Sequence, residues 1–234
     1  MTQIADNTTN SIARFNMIEQ QIRTWEVLDP KVLQLLNEVP RENFVPAIYQ
    51  GLAFADIEIP LGASEHASGQ KEPGQNMLSP KLEARILQSL NVKKSHEVLH
   101  IGTGSGYFAA LLAAQAKHVN SLEIDAELSA TAAYKLSQNN IHNVTLELAD
   151  GIAGMPYKKP FDVIVFTGSS PVEPAGVRQQ LNVGGLMFIV LGQAPVMQAT
   201  LIQRISEDAF KVDVLFETCI ATLENAPQVN AFEF

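Results

Sequence analysis

The sequence predicts an α/β chain in which an open parallel sheet ends in an antiparallel hairpin and follows an N-terminal helical cap. Three observations lead there. From residue 97 onward, apolar strand-length runs alternate with helix-length segments, the pattern of parallel strands joined by right-handed crossovers. After Gly192 the alternation stops, and runs at 198–206 and 210–223, joined by Ser206-Glu-Asp-Ala, read as an antiparallel pair. Before residue 80 the apolar residues fall at helical spacing or between prolines, so that part reads as helices and connectors.

The elements follow in order. Ser11 is read as the N-cap of a helix carrying Ile12, Phe15, Ile18 and Ile22. A second helix starts at Pro30 after Asp29 and carries Val32, Leu33, Leu35 and Leu36. Pro40 and Pro46 bracket Arg41-Glu-Asn-Phe-Val45, a stiff connector. Residues 62–79, rich in Gly, Ser, Gln and Pro, form a long loop of the kind that serves as a lid or binding segment. Ser79 then caps a helix from Pro80 to Leu90. Strands are expected at 97–101, 119–124, 143–148, 161–167 and 184–191, and helices at 106–116, 126–139 and 173–181. The expected division is residues 1–79, helical cap and loop, and residues 80–234, the α/β part, together one compact unit.

Composition narrows the class. Of 234 residues, 46% are hydrophobic and 18% charged, enough apolar mass for a full core. A formal net charge of −9 argues against a partner held through phosphates, so no nucleic acid is expected. Cys219 is the sole cysteine, which rules out an intrachain disulfide and suits a reducing compartment. No apolar run reaches the roughly 18–20 residues that span a bilayer, and the N-terminus lacks a basic region followed by an apolar stretch. A cytoplasmic globular protein with no membrane partner and no metal is the expectation.

Residues 97–107, Glu-Val-Leu-His-Ile-Gly-Thr-Gly-Ser-Gly-Tyr, carry the most chemistry. An apolar strand runs into a turn at Gly102, Gly104 and Gly106 and then into a small-residue helix, so a nucleotide-like ligand can approach bare backbone. Glu123 ends the second strand, where it can accept from both hydroxyls of a ribose. Asp150-Gly151 follows the third strand, where the acid can accept from an exocyclic amine such as that of adenine. Together they describe a pocket for an adenosine compound. NAD and S-adenosylmethionine both satisfy the first two features. The alternation Gly-x-Gly-x-Gly in place of Gly-x-Gly-x-x-Gly, and the lack of a second large domain for a hydride acceptor, favour the methyl donor.

Further segments complete the pattern: Met17-Ile-Glu-Gln-Gln-Ile22, Val39-Pro-Arg-Glu-Asn-Phe-Val-Pro46, Pro60-Leu-Gly62, Gly74-Gln75, Phe161-Asp162 and Gln180-Leu-Asn-Val-Gly-Gly185. In this order, from about residue 11 to 206, the chain resembles the protein-L-isoaspartate O-methyltransferase family. That resemblance implies a Rossmann-like class I S-adenosylmethionine-dependent methyltransferase sheet, and methyl transfer to the carboxylate of a damaged aspartyl residue in a protein or peptide, a repair activity. It implies cofactor contacts at His100, Gly102, Thr103, Gly104, Ser105, Gly106, Tyr107, Glu123, Ile124, Asp150, Gly151 and Thr167. Gln75, Leu78 and Gly168 are the implied substrate contacts, with Asn76 and Ser79 nearest the chemistry. A monomer or a homodimer is compatible with it. Asp125, Arg85 and the remaining charges are expected on solvated helix faces.

Three departures stand out. The family's lid reads Gly-Gln-Thr-Ile-Ser, one residue, then proline; here it is Gly74-Gln-Asn-Met-Leu-Ser-Pro80, so Leu78 takes the place of the serine and cannot donate to a substrate carboxylate. Residues 63–73, with His66, Lys71 and Glu72, are extra; they either remodel the substrate entrance or are a tolerated surface insertion. His100 replaces a glutamate that would help hold the donor's ammonium. Methyl transfer to a carboxylate needs no base, because a group with pKa about 4 is already ionised, and relies on alignment and exclusion of water. Loss of one hydroxyl donor therefore weakens orientation, by about 1–3 kcal/mol, without abolishing chemistry. A same-fold methyltransferase with another acceptor, and a binding protein without turnover, are the competing readings. At the C-terminus, Phe232 and Phe234 leave open a tail docked on an apolar surface or a poorly ordered end.

Overall fold

The computed structural model describes residues 2–62, 75–158 and 160–228. The insertion with His66, Lys71 and Glu72, Gly74, and the terminal Phe232 and Phe234 lie outside them. The chain divides into two compact units, Met1–Asn91 and Val92–Phe234. The boundary thus falls after Asn91, where the sequence reading put it after residue 79.

Unit 1 begins with α1 (Thr2–Asn16), which continues into a π-helical segment Met17–Ile22 and a 3-10 turn Arg23–Trp25. Ser11 is therefore interior to a helix and is not its N-cap; no Pro or Gly between residues 2 and 16 gives the helix a reason to start there. The wider π turn rotates the apolar stripe. Met17, Ile18 and Ile22 are buried, whereas Ile12 and Phe15 are each 58% exposed. Next comes α2 (Pro30–Glu38), as expected: Asp29 caps it by accepting from the Lys31 N–H at 2.9 Å, and Val32, Leu33, Leu35 and Leu36 are buried.

Two-residue strands β1 (Ile59–Pro60) and β2 (Asn76–Met77) pair antiparallel, and α3 (Pro80–Leu90) follows. Ser79 occupies the N-cap position of α3, but its hydroxyl makes no capping bond. Asp56 supplies the cap instead. Its Oδ1 accepts from the Lys81 N–H at 3.2 Å, and its Oδ2 holds Lys81 Nζ at 2.9 Å. Lys81 Nζ also lies 4.0 Å from the centre of the Trp25 ring.

The connector after Pro40 holds the largest surprise in unit 1. Arg41 is buried; it donates through Nη1 to Glu83 Oε2 and through Nη2 to the Leu78 carbonyl at 2.7 Å. Glu83 lies on the buried stripe of α3 with Leu82, Ile86, Leu87 and Leu90. Both residues were expected on solvated faces. Burial of such charges is tolerated because each meets an opposite charge.

Unit 2 is one seven-stranded sheet in the order β5-β4-β3-β6-β7-β8-β9. Its strands are β3 (Glu97–Ile101), β4 (His118–Glu123), β5 (Val144–Leu148), β6 (Phe161–Ser170), β7 (Leu181–Gln193), β8 (Val196–Arg204) and β9 (Phe210–Glu217). The pairs among β5, β4, β3, β6 and β7 are parallel; β7–β8 and β8–β9 are antiparallel. The central strands are buried on both faces, as strands covered on both sides are, and His100, Asn120 and Ser121 are polar residues among their apolar ones. Leu99, Ile101, Leu122, Ile164, Phe166 and Met187 share one core cluster.

Helices α4 (Tyr107–Ala113) and α5 (Ala126–Gln138) fall where expected. Asp125, half-buried, does more than face solvent: its Oδ1 accepts from the Glu127 and Leu128 N–H groups at 2.8 and 2.9 Å and caps α5. The helix expected at 173–181 is absent. Only a 3-10 turn, Arg178–Gln180, forms there. Pro174 has no N–H to continue a helix, and Gly176 adopts φ +77°. β7 consequently starts at Leu181, and β9 stops at Glu217, which releases residues 218–226 from the hairpin.

Candidate functional site

The strand order reverses direction between β3 and β6, and at such a switch point the loops after the strand ends diverge and leave a crevice. Beside it, at the ends of β3, β4 and β5, a cleft of about 300 Å³ opens, lined by Ile101, Gly102, Glu123, Ile124, Asp150 and Gly151 and by Leu223 and Glu224. The predicted strand ends thus do come together. Gly102 has φ +90°, a conformation open to glycine at no steric cost, and a Cβ there would sit 3.0 Å from Thr167 Oγ1. Gly106 N-caps α4.

Glu123 is 6% exposed at the wall of this cleft. Its Oε2 accepts from the Gly104 N–H at 2.7 Å, and its Oε1 from the N–H groups of Ile124 and Asp125, each at 3.0 Å. A carboxylate offers about four lone-pair positions. With three taken, Glu123 has room for one ribose hydroxyl, and both hydroxyls of the expected diol would need one of these contacts to give way. Asp150 is exposed; Oδ1 accepts from the Ile152 N–H at 3.0 Å and Oδ2 from the Asn225 side-chain amide at 2.9 Å. An adenosyl group fits this donor and acceptor set: bare backbone at the turn, an acid at the second strand end, a second acid at the third, and apolar Ile101, Ile124 and Leu223 between them.

Leu223, Glu224 and Asn225 were not anticipated. The segment after β9 returns along the end of β6: the Ser169 N–H donates to the Ala221 carbonyl at 2.8 Å and the Leu223 N–H to the Ser169 carbonyl at 2.9 Å. Leu223 lies so close over Gly168 that a Cβ on Gly168 would meet its Cδ2 at 2.6 Å. Gly168 is therefore covered by Leu223 and not open to an acceptor. No local signal marks this segment, because its partners lie some fifty residues earlier in the chain, as the separation of 51 between Ser169 and Ile220 shows.

Other expected contacts sit behind the cleft. Tyr107 is fully buried in α4, and Thr103 and Ser105 are 3% and 5% exposed. Ser105 Oγ accepts from the Tyr107 N–H at 3.2 Å. His100 does not reach the cleft. It is fully buried, with Nδ1 2.9 Å from Ser121 Oγ and Nε2 3.0 Å from Thr167 Oγ1. Burial lowers its pKa to about 3, so the ring is neutral and its nitrogens are occupied by hydroxyls. It cannot serve as the expected acceptor for an ammonium.

In unit 1, Leu78 is buried (5% exposed) with its carbonyl held by Arg41, so its side chain is a core residue and not a substrate contact. Asn76 Nδ2 donates to Glu58 Oε2 at 3.0 Å, and burial raises the pKa of Glu58. The Gln75 carbonyl accepts from the Leu61 N–H at 2.9 Å. Among the described residues no group of His, Cys, Asp and Glu is placed to hold a metal ion, and no helix is long and apolar enough to cross a membrane.

Comparison with known proteins bears on this geometry. The family model described as protein-L-isoaspartate(D-aspartate) O-methyltransferase matches residues 13–226. A protein-L-isoaspartate O-methyltransferase of Magnetococcus marinus is 35% identical over 191 residues, 82% of this chain and 79% of the relative. Protein-L-isoaspartate O-methyltransferase 2 of Marinobacter nauticus is 35% identical over 207 residues, 88% of this chain and 90% of the relative. One solved protein-L-isoaspartate O-methyltransferase superposes with TM-score 0.74 at 24% identity, covering 91% of this chain and 66% of its own. A second, a putative enzyme of this kind from Plasmodium falciparum in complex with S-adenosyl-L-homocysteine, also gives 0.74, at 17% identity over 92% of this chain and 98% of its own. These two likenesses speak for the fold alone, the class I methyltransferase architecture. With matches of this extent in sequence, the chain belongs to the protein-L-isoaspartate(D-aspartate) O-methyltransferase family.

Proposed function

We propose that the protein transfers a methyl group from S-adenosylmethionine to the carboxylate of L-isoaspartyl residues in damaged protein. The observation that carries this reading is the family match over residues 13–226. The cleft at the ends of β3, β4 and β5 supports its cofactor half. When bound, the cofactor supplies a sulfonium methyl and departs as a neutral thioether. Gly102 and Gly104 offer backbone without side chains, Glu123 accepts from a ribose hydroxyl, and Asp150 accepts from the adenine amine. Leu223 adds an apolar wall to the cleft. No residue need act as a base, since the acceptor is already an anion at neutral pH.

For the acceptor we assign the Ser79 hydroxyl, which is not spent on capping α3, and the Asn76 amide, which must share its protons with Glu58. Asp150, Glu123 and the backbone of Gly102–Gly106 are the proposed cofactor contacts; Thr103, Ser105, Tyr107 and Thr167 support them from behind. The single exposed Cys219 suits a reducing, cytoplasmic setting, and we propose a monomer or homodimer.

Radiolabelled methyl transfer to an isoaspartyl peptide, set against its normal aspartyl twin, tests the activity. Labelling confined to the isoaspartyl peptide is the expected result; equal labelling of both, or of neither, overturns it. The burial of Leu78 favours a second reading, a same-fold methyltransferase with a different acceptor. Labelling of a small carboxylate but of neither peptide would establish it.

A further inference from the structure

His100 sits mid-sheet on β3, and its two ring nitrogens reach hydroxyls on both neighbouring strands, Ser121 on β4 and Thr167 on β6. Thr167 gets there by ordinary strand alternation: Val165 pairs with His100 across β3–β6, and Thr167, two residues on, lies on the same face, while the register of β6 against β7 shifts between Val165 and Ser169. Thr167 Oγ1 also contacts the carbonyls of Gly102 at 2.6 Å and Ile101 at 3.1 Å. At the other end, Ser121 Oγ lies 2.7 Å from Thr103 Oγ1.

Counting protons gives these contacts a direction. A carbonyl only accepts, so Thr167 spends its one proton on it and must accept from His100 Nε2–H. The neutral ring then has an unprotonated Nδ1, which accepts from Ser121, and Ser121 in turn accepts from Thr103. The chain therefore runs one way, Thr103 to Ser121 to His100 to Thr167 to the Gly102 carbonyl, and both its ends lie on the turn that lines the cleft. The Phe108 ring also packs near it, 5.6 Å away between centroids.

We propose that His100 is a positioning residue whose ring closes this one-way chain and so fixes the Gly102–Gly104 turn in the shape that receives the adenosyl group. The ligand half of the proposal rests on the cofactor reading above; the shape of the turn does not. Aligned hydrogen bonds in a buried setting polarise one another, so the chain stiffens the turn more than its separate links would. A neutral group can be locked here without the desolvation cost of a carboxylate.

Histidine-selective 15N NMR of the ligand-free protein tests the direction. Expected is a His100 ring protonated at Nε2 and bare at Nδ1 from pH 8 to pH 5; the opposite tautomer, or protonation near pH 6.5, overturns the proposal. Thr167→Val and Thr167→Ser test the consequence through amide hydrogen exchange at residues 102–106. Thr167→Val is expected to speed exchange about tenfold and Thr167→Ser to stay within about twofold of the parent, from the usual worth of one hydrogen bond. Equal exchange in all three proteins contradicts it. Titration with S-adenosylhomocysteine then reads the ligand half, with the Kd rising about tenfold in Thr167→Val and restored in Thr167→Ser. An unchanged Kd in Thr167→Val overturns that half. A parent protein that gives no heat removes the cofactor reading instead, and does so separately from the tautomer and exchange results.

Discussion

Unit 1 buries an ion pair, Arg41 with Glu83, whereas unit 2 buries a neutral chain of three hydroxyls and an imidazole. Both clusters end on a backbone carbonyl, Leu78 in the first and Gly102 in the second. The means differ, and so do the consequences. Two charges taken out of water are held only as long as both are present. A chain of hydroxyls loses little by desolvation but depends on every link pointing the same way. The first cluster clamps a core segment, while the second shapes a turn that faces a ligand. The difference teaches that polar groups in these cores hold particular loops in place more than they add stability.

The ion pair offers the largest effect. At pH 8, where Glu83 is ionised, Arg41→Ala leaves that charge buried without a partner and should cost unit 1 about 3–5 kcal/mol, seen in urea unfolding followed by Trp25, the sole tryptophan. The double variant Arg41→Met/Glu83→Leu should recover most of that loss. A double variant as unstable as Arg41→Ala would mean the charges themselves are needed.

Acidity separates the units next. Burial holds His100 near pKa 3 in the folded state against 6.5 when free, so below about pH 6.5 the unfolded chain takes up a proton that the folded chain refuses. Stability of unit 2 should then fall with falling pH, by up to about 1.4 kcal/mol per pH unit, and His100→Asn should flatten that slope. Glu83 behaves oppositely: burial pushes it up from 4.5 to about 7, so its contribution is full at low pH and lost as pH rises through that window. Unfolding at a series of pH values, with Trp25 reporting on unit 1 and amide signals on unit 2, should show slopes of opposite sign. Slopes of the same sign would erase the contrast.

A smaller effect comes from Ser121→Ala, which leaves His100 Nδ1 and the Thr103 hydroxyl without partners and should cost unit 2 about 1–2 kcal/mol in equilibrium unfolding. No loss would show that water replaces Ser121 in the chain.

The sheet was legible in the sequence because strand-length stretches with apolar cores, such as Val98–Ile101 and Val163–Phe166, alternate with helix-length ones, and the cleft was legible because Gly102, Glu123 and Asp150 stand at the ends of β3, β4 and β5. What was missed is non-local. Glu83 reads as one more helix charge until Arg41 arrives from the connector, although its place on the stripe with Ile86 and Leu87 was a usable sign. His100 reads as a ligand contact until the pairing of β3 with β4 and β6 sets Ser121 and Thr167, 21 and 67 residues away in sequence, against its ring. Leu223 reaches the cleft through a hydrogen bond to Ser169 of β6, and Asn225 meets Asp150 through its side-chain amide, contacts that no local pattern announces. The false helix at 173–181 is different in kind, since Pro174 and Gly176 spoke against it locally.

The claim on which the rest stands is that the ends of β3, β4 and β5 hold the adenosyl group. A crystal structure with S-adenosylhomocysteine tests it most directly. The account predicts the nucleoside in the cleft lined by Gly102, Ile124 and Leu223, with a ribose hydroxyl on Glu123 and the adenine amine within reach of Asp150. Ligand bound elsewhere, or a cleft that stays empty at saturating concentration, would contradict it.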